Sequence, residues 1–205
     1  MDRGLALSAL VAIPGLAALF HLLARSGLRP LDACLLGLSA YWLLLVIGLG
    51  RGGWSLRLRV PPISIALACL LPALLLAALA LPALSRLSPH VLAVVALAAA
   101  LNGTLEEAFW RGALVRRLGP GDRGKAVVPV LLFALWHLAP ATALAKLDMP
   151  GGAAGMILGA ALLGALAMAA RLGSGSAGFP ALCHVLVNLA TFGILAATNG
   201  WPALP

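Results

Sequence analysis

The sequence predicts an all-α polytopic membrane protein, built as a bundle of about seven transmembrane helices. Of its 205 residues 62% are hydrophobic, and the mean hydropathy is +1.07. Only 10% are charged, whereas a soluble domain usually has about a quarter of its residues charged. The charged residues stand in short spacers between apolar runs of ~20 residues, the length that crosses a bilayer as a helix. A water-soluble globular fold is therefore excluded.

Seven apolar runs follow one another along the chain. The predicted spans are Leu5 to Ala24, Ala33 to Gly50, Ile63 to Ala83, Val91 to about Glu107, Ala126 to about Thr142, Ala153 to Ala170 and Phe179 to about Ala197. The first run is long for the core of a cleaved signal peptide and has no convincing small-x-small cleavage site, so we expect a retained helix.

Helix-breaking residues and charges mark the boundaries between these spans. Pro61-Pro62 precedes the third span and Pro89 precedes the fourth. The fourth span leads into a basic loop, in which Gly119-Pro120-Gly121 predicts a turn. A short charged loop separates the fifth and sixth spans, and a Gly/Ser-rich stretch at 173–178 precedes the seventh. Because no internal repeat divides the chain, we expect residues 1–205 to form a single transmembrane domain.

Basic residues are distributed unequally between the two sides of the predicted bundle. With seven spans, ten Lys and Arg residues fall on the side of the N-terminus and four on the other side. Basic loops stay in the cytoplasm, so the N-terminus is expected there. The Ala/Leu/Gly/Arg-rich composition favours a bacterial inner membrane. These loops also account for the net charge of +8, so no nucleic-acid partner is expected.

Glu106 and Glu107 are the only glutamates of the chain, and they follow a long uncharged run. Ionised carboxylates at membrane depth are costly and are kept where they face a cavity or a partner. Arg111 lies four residues after Glu107, in the favourable order for an ion pair within a helix. Adjacent helical residues point ~100° apart. We therefore expect Arg111 to neutralise Glu107 while Glu106 faces elsewhere.

Two histidines lie within predicted spans and not at their ends. His137 is in the fifth span, and His184 is in the seventh, with Asn188 one turn later on the same face. At ~1.5 Å per residue, Glu106, His137 and His184 fall between the bilayer midplane and its cytoplasmic side. Ionisable groups from three helices in one layer predict a shared polar cavity.

These side chains suit a hydrolytic reaction. A carboxylate in a site of low dielectric is a competent general base, and a nearby histidine can share the proton of the attacking water. A second histidine and an asparagine amide can donate hydrogen bonds to the oxyanion that forms. No Ser or Cys nucleophile is required; Cys183 neighbours His184 but points ~100° away from it on the helix.

Three short motifs resemble those of the CPBP family of intramembrane proteases. They are Glu106-Glu107-x-x-x-Arg111, Phe133-x-x-x-His137 and His184-x-x-x-Asn188, in this order and each in a hydrophobic helix. The family comprises the type II CAAX prenyl endopeptidases and Abi-like bacterial relatives tied to bacteriocin processing or immunity. The resemblance covers about residues 102–190.

The resemblance implies an intramembrane endopeptidase that cuts a membrane-associated protein or peptide near the cytoplasmic leaflet. Carried over to this chain, it implies that Glu106 and His137 activate water. It further implies that His184 and Asn188 stabilise the oxyanion, with Glu107 and Arg111 in support. The substrate is not determined: prenylated C-terminal peptides, bacteriocin leaders and C-terminal sorting helices are all open. The expected partners are this protein or peptide substrate and the lipid bilayer.

The need for a metal cofactor is also open, because the family has been described both as metal-dependent and as glutamate-type. Glu106, His137 and His184 could supply three zinc ligands, but no obvious general base would then remain. We expect a site without metal, with zinc as the alternative. The cysteines are odd in number and show no CxxC spacing, which indicates neither disulfides nor a zinc knuckle; they are Cys34, Cys69 and Cys183.

Two other functions compete with the peptidase. A non-catalytic membrane protein, such as a bacteriocin-immunity factor, would use the same polar pairs to hold helices together. Each interhelical hydrogen bond contributes only ~0.6 kcal/mol on average, which does not explain so many costly groups in one layer. A proton-coupled transporter would use Glu106 and the histidines as a relay, but the two halves of the chain show no repeat.

Overall fold

The computed structural model describes residues 1–200, and within this range all regular secondary structure is helical. The main helices are α1 (Arg3–Arg25), α2 (Pro30–Leu49), α3 (Ile63–Leu84), α4 (Pro89–Glu107), α5 (Val127–Trp136), α6 (Leu138–Ala141), α7 (Gly152–Ser174) and α8 (Gly178–Thr198). Shorter helical turns are Ala108–Ala113, Arg123–Ala126 and Thr142–Ala145. The last five residues of the predicted domain, 201–205, lie outside the described residues.

Seven helical segments among residues 1–200 are long and apolar enough to cross a membrane. They are Arg3–Arg25, Pro30–Leu49, Ile63–Leu84, Pro89–Ala113, Arg123–Leu144, Gly152–Ser174 and Gly178–Thr198. The predicted all-α bundle of seven spans is confirmed, and the protein is an integral membrane protein.

Capping residues determine where several helices begin. Asp2 is the N-cap of α1, and its carboxylate accepts a hydrogen bond of 3.1 Å from the Leu5 amide. Ser88 caps α4 in the same way. The Leu5 amide, together with the Arg116 guanidinium 3.0 Å away, holds the pKa of Asp2 below its usual range. Asp2 thus caps α1 and also pairs with Arg116, so it fixes the start of α1 to the loop that follows the fourth span.

A π-helical turn continues the fourth span beyond α4. In this turn, Ala108–Ala113, the Leu114 amide donates to the carbonyl of Phe109 five residues earlier, at 2.9 Å. Such turns are rare and are frequent at functional sites. Here the turn follows directly on Glu107 and contains Arg111.

The fifth span is broken at His137. α5 ends at Trp136, and α6 begins at Leu138. Pro140 explains the break: it has no N–H for the Trp136 carbonyl four residues earlier, and its ring would clash with that carbonyl in a straight helix. His137 therefore lies at a helix break, whereas the sequence pattern had placed it within a continuous helix.

Hydrogen bonds between connecting segments show which of them share an end of the bundle. At one end, Arg116 pairs with Asp2, and the Ala177 amide donates to the Ser55 carbonyl at 3.0 Å. We call this the basic end, because its segments carry Arg3, Arg51, Arg57, Arg59, Arg116, Arg117, Arg123, Lys125 and Arg171. At the opposite end, Lys146 Nζ donates to the Ser26 carbonyl at 2.7 Å.

The fourth and seventh spans form the centre of the bundle. Half of each is buried, a larger share than in any other span of the described residues. α4 and α8 approach to backbone contact at Gly103, where a Cβ would lie 2.8 Å from the Val185 amide nitrogen. This close packing brings the acidic end of α4 beside the first half of α8, which carries His184 and Asn188.

Candidate active site

His184 lies between the two glutamates. Its Nδ1 is 2.8 Å from Glu107 Oε1, and its Nε2 is 3.4 Å from Glu106 Oε2. Both glutamate side chains are almost fully buried, with 1% of each residue exposed. The sequence predicted that the carboxylates of Glu106 and Glu107 point in different directions from their helix. The imidazole of His184 nevertheless reaches both carboxylates, because its two nitrogens lie on different edges of one ring.

Arg111 is a buried cation that joins three spans. Its Nη1 lies 3.0 Å from Glu107 Oε1, so the ion pair expected within the helix is present. Its Nη2 donates to the Gly164 carbonyl of α7 at 3.1 Å, and its guanidinium lies 4.0 Å from the centre of the Phe133 ring. Gly164 permits this approach, since a Cβ there would lie 2.8 Å from Phe133. Arg111 thus connects the fourth span to α5 and α7.

Glu106 is oriented by aromatic residues that the sequence analysis did not identify. Its Oε1 accepts a hydrogen bond of 3.0 Å from Trp136 Nε1. The Trp136 indole stacks on Tyr41, with ring centres 3.5 Å apart, and the Tyr41 hydroxyl lies next to the Glu106 carboxylate. That hydroxyl accepts a hydrogen bond of 2.8 Å from Trp110 Nε1. In the sequence, Trp110 directly precedes Arg111 and Trp136 directly precedes His137, whereas no motif residue stands beside Tyr41.

The ring of His137 is fixed by the chain that precedes it. Its Nδ1 lies 2.9 Å from the Phe133 carbonyl oxygen. A carbonyl only accepts hydrogen bonds, so Nδ1 carries the proton, an assignment made from the partner. Nε2 is therefore the nitrogen with the free lone pair. The four-residue spacing in Phe133-x-x-x-His137 has a structural reason, because the first residue orients the second.

A cavity of about 380 Å³ brings the four predicted catalytic residues together. Its lining includes Glu106, His137, His184 and Asn188, and also Asn102, whose amide oxygen accepts a hydrogen bond of 2.9 Å from Trp42. Glu106 Oε2 has only the 3.4 Å contact with His184 Nε2, and Asn188 Nδ2 is a buried atom with no hydrogen-bond partner among residues 1–200. The cavity thus contains one weakly bonded acceptor and one unsatisfied donor.

Glu107 and Arg111 lie behind this cavity and do not line it. They border a smaller cavity of about 30 Å³ on the other side of His184, together with Cys69 and Cys183. Glu107 and Arg111 thus contact His184 from outside the main cavity, and their supporting role stays a prediction.

The main cavity extends from the polar residues toward the end of the bundle opposite the basic end. Its far part is lined by Leu147, Met149 and Pro150 of the loop before α7, and by the second half of α8 as far as Leu195. Among the described residues that line it, none is a Lys or Arg. The cavity is therefore polar at one end and apolar over the rest of its length, which the sequence had not indicated.

The described side chains do not assemble a ligand set for zinc. Within residues 1–200, no group of three His, Cys, Asp or Glu side chains is placed so as to hold a metal ion. Glu106, His137 and His184, the ligands expected in the metal-dependent alternative, thus do not form a three-ligand site in this conformation.

Comparisons with known proteins agree with the motifs. The family model "Type II CAAX prenyl endopeptidase Rce1-like" matches residues 88–190, just over half of the 205 residues. This range begins at the N-cap of α4 and includes all three motifs. No curated protein and no solved structure matches the chain. The chain belongs to the Rce1-like family of type II CAAX prenyl endopeptidases, which makes it an intramembrane protease.

Proposed function

We propose that this protein hydrolyses a peptide bond of a membrane-associated protein or peptide by a glutamate-type mechanism. Family membership indicates the endopeptidase activity. The mechanism is supported best by the one cavity that Glu106, His137, His184 and Asn188 share.

Water is activated by Glu106 and His137. Oε1 of Glu106 is held by Trp136, which leaves Oε2 to take the proton of a water molecule. His137 Nε2, with its free lone pair, accepts the second hydrogen of that water and orients its oxygen. The water oxygen attacks the peptide carbonyl and its proton passes to Glu106. As the C–N bond breaks, this proton moves to the leaving nitrogen, which gives a carboxylic acid and an amine. The acid then passes its remaining proton to His137 Nε2 and leaves as a carboxylate.

The oxyanion of the intermediate is stabilised by Asn188 and His184. Asn188 Nδ2 is a buried donor without a protein partner in the described residues, so it is free to bind an oxygen atom that enters the cavity. His184 faces a carboxylate at each nitrogen, an arrangement that suits a protonated ring with two N–H donors. At 3.4 Å from Glu106, its Nε2–H is held loosely enough to turn to the substrate.

The charges of this cluster cancel. The carboxylates of Glu106 and Glu107 are balanced by the Arg111 guanidinium and a protonated His184. Buried charges are tolerated in this way when each has a partner. Glu107 therefore has a supporting role, since it holds both His184 and Arg111.

The orientation of the bundle gives the expected place of cleavage. With the basic end in the cytoplasm, Glu106 lies about 10 Å from the cytoplasmic end of Pro89–Ala113, at ~1.5 Å per residue. The apolar part of the cavity then extends toward the opposite leaflet and suits a substrate segment without charge. Cleavage near the cytoplasmic leaflet would separate this segment from the rest of the substrate.

A non-catalytic role is disfavoured by the unpartnered amide of Asn188. If Asn188 only held helices together, its Nδ2 would be bonded to a neighbouring helix. A buried polar atom without a partner costs free energy, and its presence in a native structure calls for a ligand. In the proposed function, that ligand is the substrate carbonyl.

The proposal is tested by comparing terminal peptides from cells that express the wild type or the Glu106→Gln variant. Mass spectrometry should detect a fragment with a new C-terminus in wild-type membranes that is absent with Glu106→Gln. Asp122→Asn, the same change of acid to amide on a surface loop, should retain the fragment. Identical fragments in all three samples, with the variant inserted at normal levels, would reject the function.

A further inference from the structure

A second cavity, of about 190 Å³, lies between α1 and α2. Its walls run from Leu5 to Leu16 on α1 and from Tyr41 to Gly48 on α2, with Arg51 just after the end of α2. We call it the α1–α2 slot. Its floor is formed by aromatic residues of the core. Trp136 borders both the slot and the active-site cavity, so the two spaces are separated by its indole.

The slot has the length of one bilayer leaflet. From Leu5 to Leu16 it extends about 16 Å along α1, at ~1.5 Å per residue, which is half of a ~30 Å hydrocarbon core. Its rim on α2 faces the membrane, since Leu44 and Ile47 are 43% and 65% exposed. An acyl chain of a neighbouring lipid can therefore enter from the side, parallel to the two helices.

Positive charge is placed where a lipid headgroup would lie. Arg51 closes the slot at the basic end, and 55% of its side chain is exposed. Its nearest carboxylate, Asp2, lies 3.9 Å away and already binds Arg116 at 3.0 Å and the Leu5 amide. Two guanidinium groups thus share one carboxylate, which leaves a net positive charge at the mouth.

We propose that the α1–α2 slot binds one acyl chain of an anionic phospholipid, with its phosphate at Arg51. The slot is apolar over one leaflet and ends at a cation, which matches the two parts of such a lipid. A zwitterionic lipid would place its own cation near Arg51 and would bind less tightly. The occupant is not the substrate, because Trp136 and Tyr41 stand between the slot and the active site.

The bound chain would also support the active site. Its inner end would press against Tyr41, Trp110 and Trp136, the aromatic residues that hold Glu106. This second consequence rests on the proposed function. The binding itself does not, so it is tested by lipid contact and not by cleavage.

Quenching of tryptophan fluorescence by brominated lipids tests the proposal. The full-length protein is reconstituted into phosphatidylcholine vesicles that contain a small fraction of either brominated phosphatidylglycerol or brominated phosphatidylcholine. Because Trp110 and Trp136 border the slot, the anionic lipid should quench more strongly at equal bromine content. Equal quenching by the two lipids in the wild type would overturn the proposal.

Two pairs of variants locate the site. Arg51→Gln should lower the relative affinity for the anionic lipid about fivefold, the effect of one basic residue near a membrane surface, while Arg123→Gln at the same end keeps most of the selectivity. Ala12→Phe fills the slot and should remove the extra quenching by the anionic lipid, whereas Ala18→Phe, on the exposed face of α1, should keep it.

Selectivity that survives Arg51→Gln or Ala12→Phe would place the lipid elsewhere and refute the site. Circular dichroism checks that each variant keeps its helices. If Ala12→Phe does not fold, the wild-type comparison and the arginine pair still decide. If the purified protein binds the lipid but has no protease activity, the proposed function is refuted and the lipid site stands.

Discussion

The indole Nε1 of Trp136 donates a hydrogen bond of 3.0 Å to Oε1 of Glu106, across 30 residues of sequence. The bond joins the end of α4 to the end of α5 and determines which carboxylate oxygen faces the cavity. It also places the helix break at His137 directly beside Glu106. The two residues that we assign to water activation are therefore held in place by the same indole.

Trp136→Phe should slow cleavage without preventing substrate binding. The phenyl ring keeps the apolar surface but cannot donate to Glu106. A hydrogen bond to a charged group is worth about 1.5–3 kcal/mol, so we expect kcat to fall about 10- to 100-fold with KM nearly unchanged. Steady-state kinetics on reconstituted protein measures this. Trp54→Phe, outside the cavity, serves as the control, and an equal loss in both variants would contradict a specific role of Trp136.

The Asn188→Ala variant distinguishes two roles of Asn188, that of an oxyanion donor and that of a structural residue. Because Asn188 Nδ2 has no partner among residues 1–200, its removal should change the free energy of unfolding by less than about 1 kcal/mol. Loss of one oxyanion donor should lower kcat about 10²–10³-fold. Kinetics and chemical denaturation are measured on the same preparation. A large loss of stability with normal kcat would show that the amide serves folding alone.

Glu107→Gln should destabilise the fold, because it leaves the Arg111 guanidinium buried without a counter-charge. Removal of one partner from a buried ion pair typically costs about 3–5 kcal/mol. The double variant Glu107→Gln/Arg111→Gln should lose less than the sum of its two single variants. Unfolding monitored by circular dichroism completes the double-mutant cycle. Additive losses would mean that the ion pair contributes nothing to stability.

Gly103→Ala should disturb the contact between α4 and α8. The new methyl group would lie 2.8 Å from the Val185 amide nitrogen, and overpacking of this kind costs about 1–3 kcal/mol. Gly15→Ala in α1, where nothing lies within 4 Å of the new Cβ, is the matched control and should be neutral or slightly stabilising. Thermal unfolding of both variants tests the difference. Equal melting temperatures would contradict the close approach of the two helices.

Chelation of metal ions should leave the activity unchanged under the glutamate-type mechanism. Purified protein is incubated with EDTA or phenanthroline and assayed after the chelator has been removed. The wild type should cleave at its original rate. Loss of activity that zinc restores would support the metal-dependent alternative instead and would require a rearrangement of Glu106, His137 and His184.

The spans could be predicted because hydropathy depends only on local composition, and the charged spacers mark their ends. The helix break at His137 is caused by Pro140, which is visible in the sequence. The break was not predicted because the apolar run continues on both sides of it. The meeting of the three motifs was predicted from depth and order alone.

Tertiary packing determined what the sequence analysis missed. The bridge from His184 to both glutamates depends on how close α8 lies to α4, which follows from a glycine contact and not from a motif. Tyr41 lies in a span without a motif, and Trp110 stands at an unspecified position of the first motif. Their role arises only when α2 packs against the end of the fourth span. The direction of the cavity is likewise a property of the assembled helices.

The central claim is that Glu106 activates the water that cuts the substrate. The most direct test is the rate at which purified, reconstituted Glu106→Gln cleaves a peptide taken from the substrate found by mass spectrometry. Loss of a general base should lower this rate about 10²–10⁴-fold, with the helical content of the wild type retained. A rate equal to that of the wild type would contradict the account.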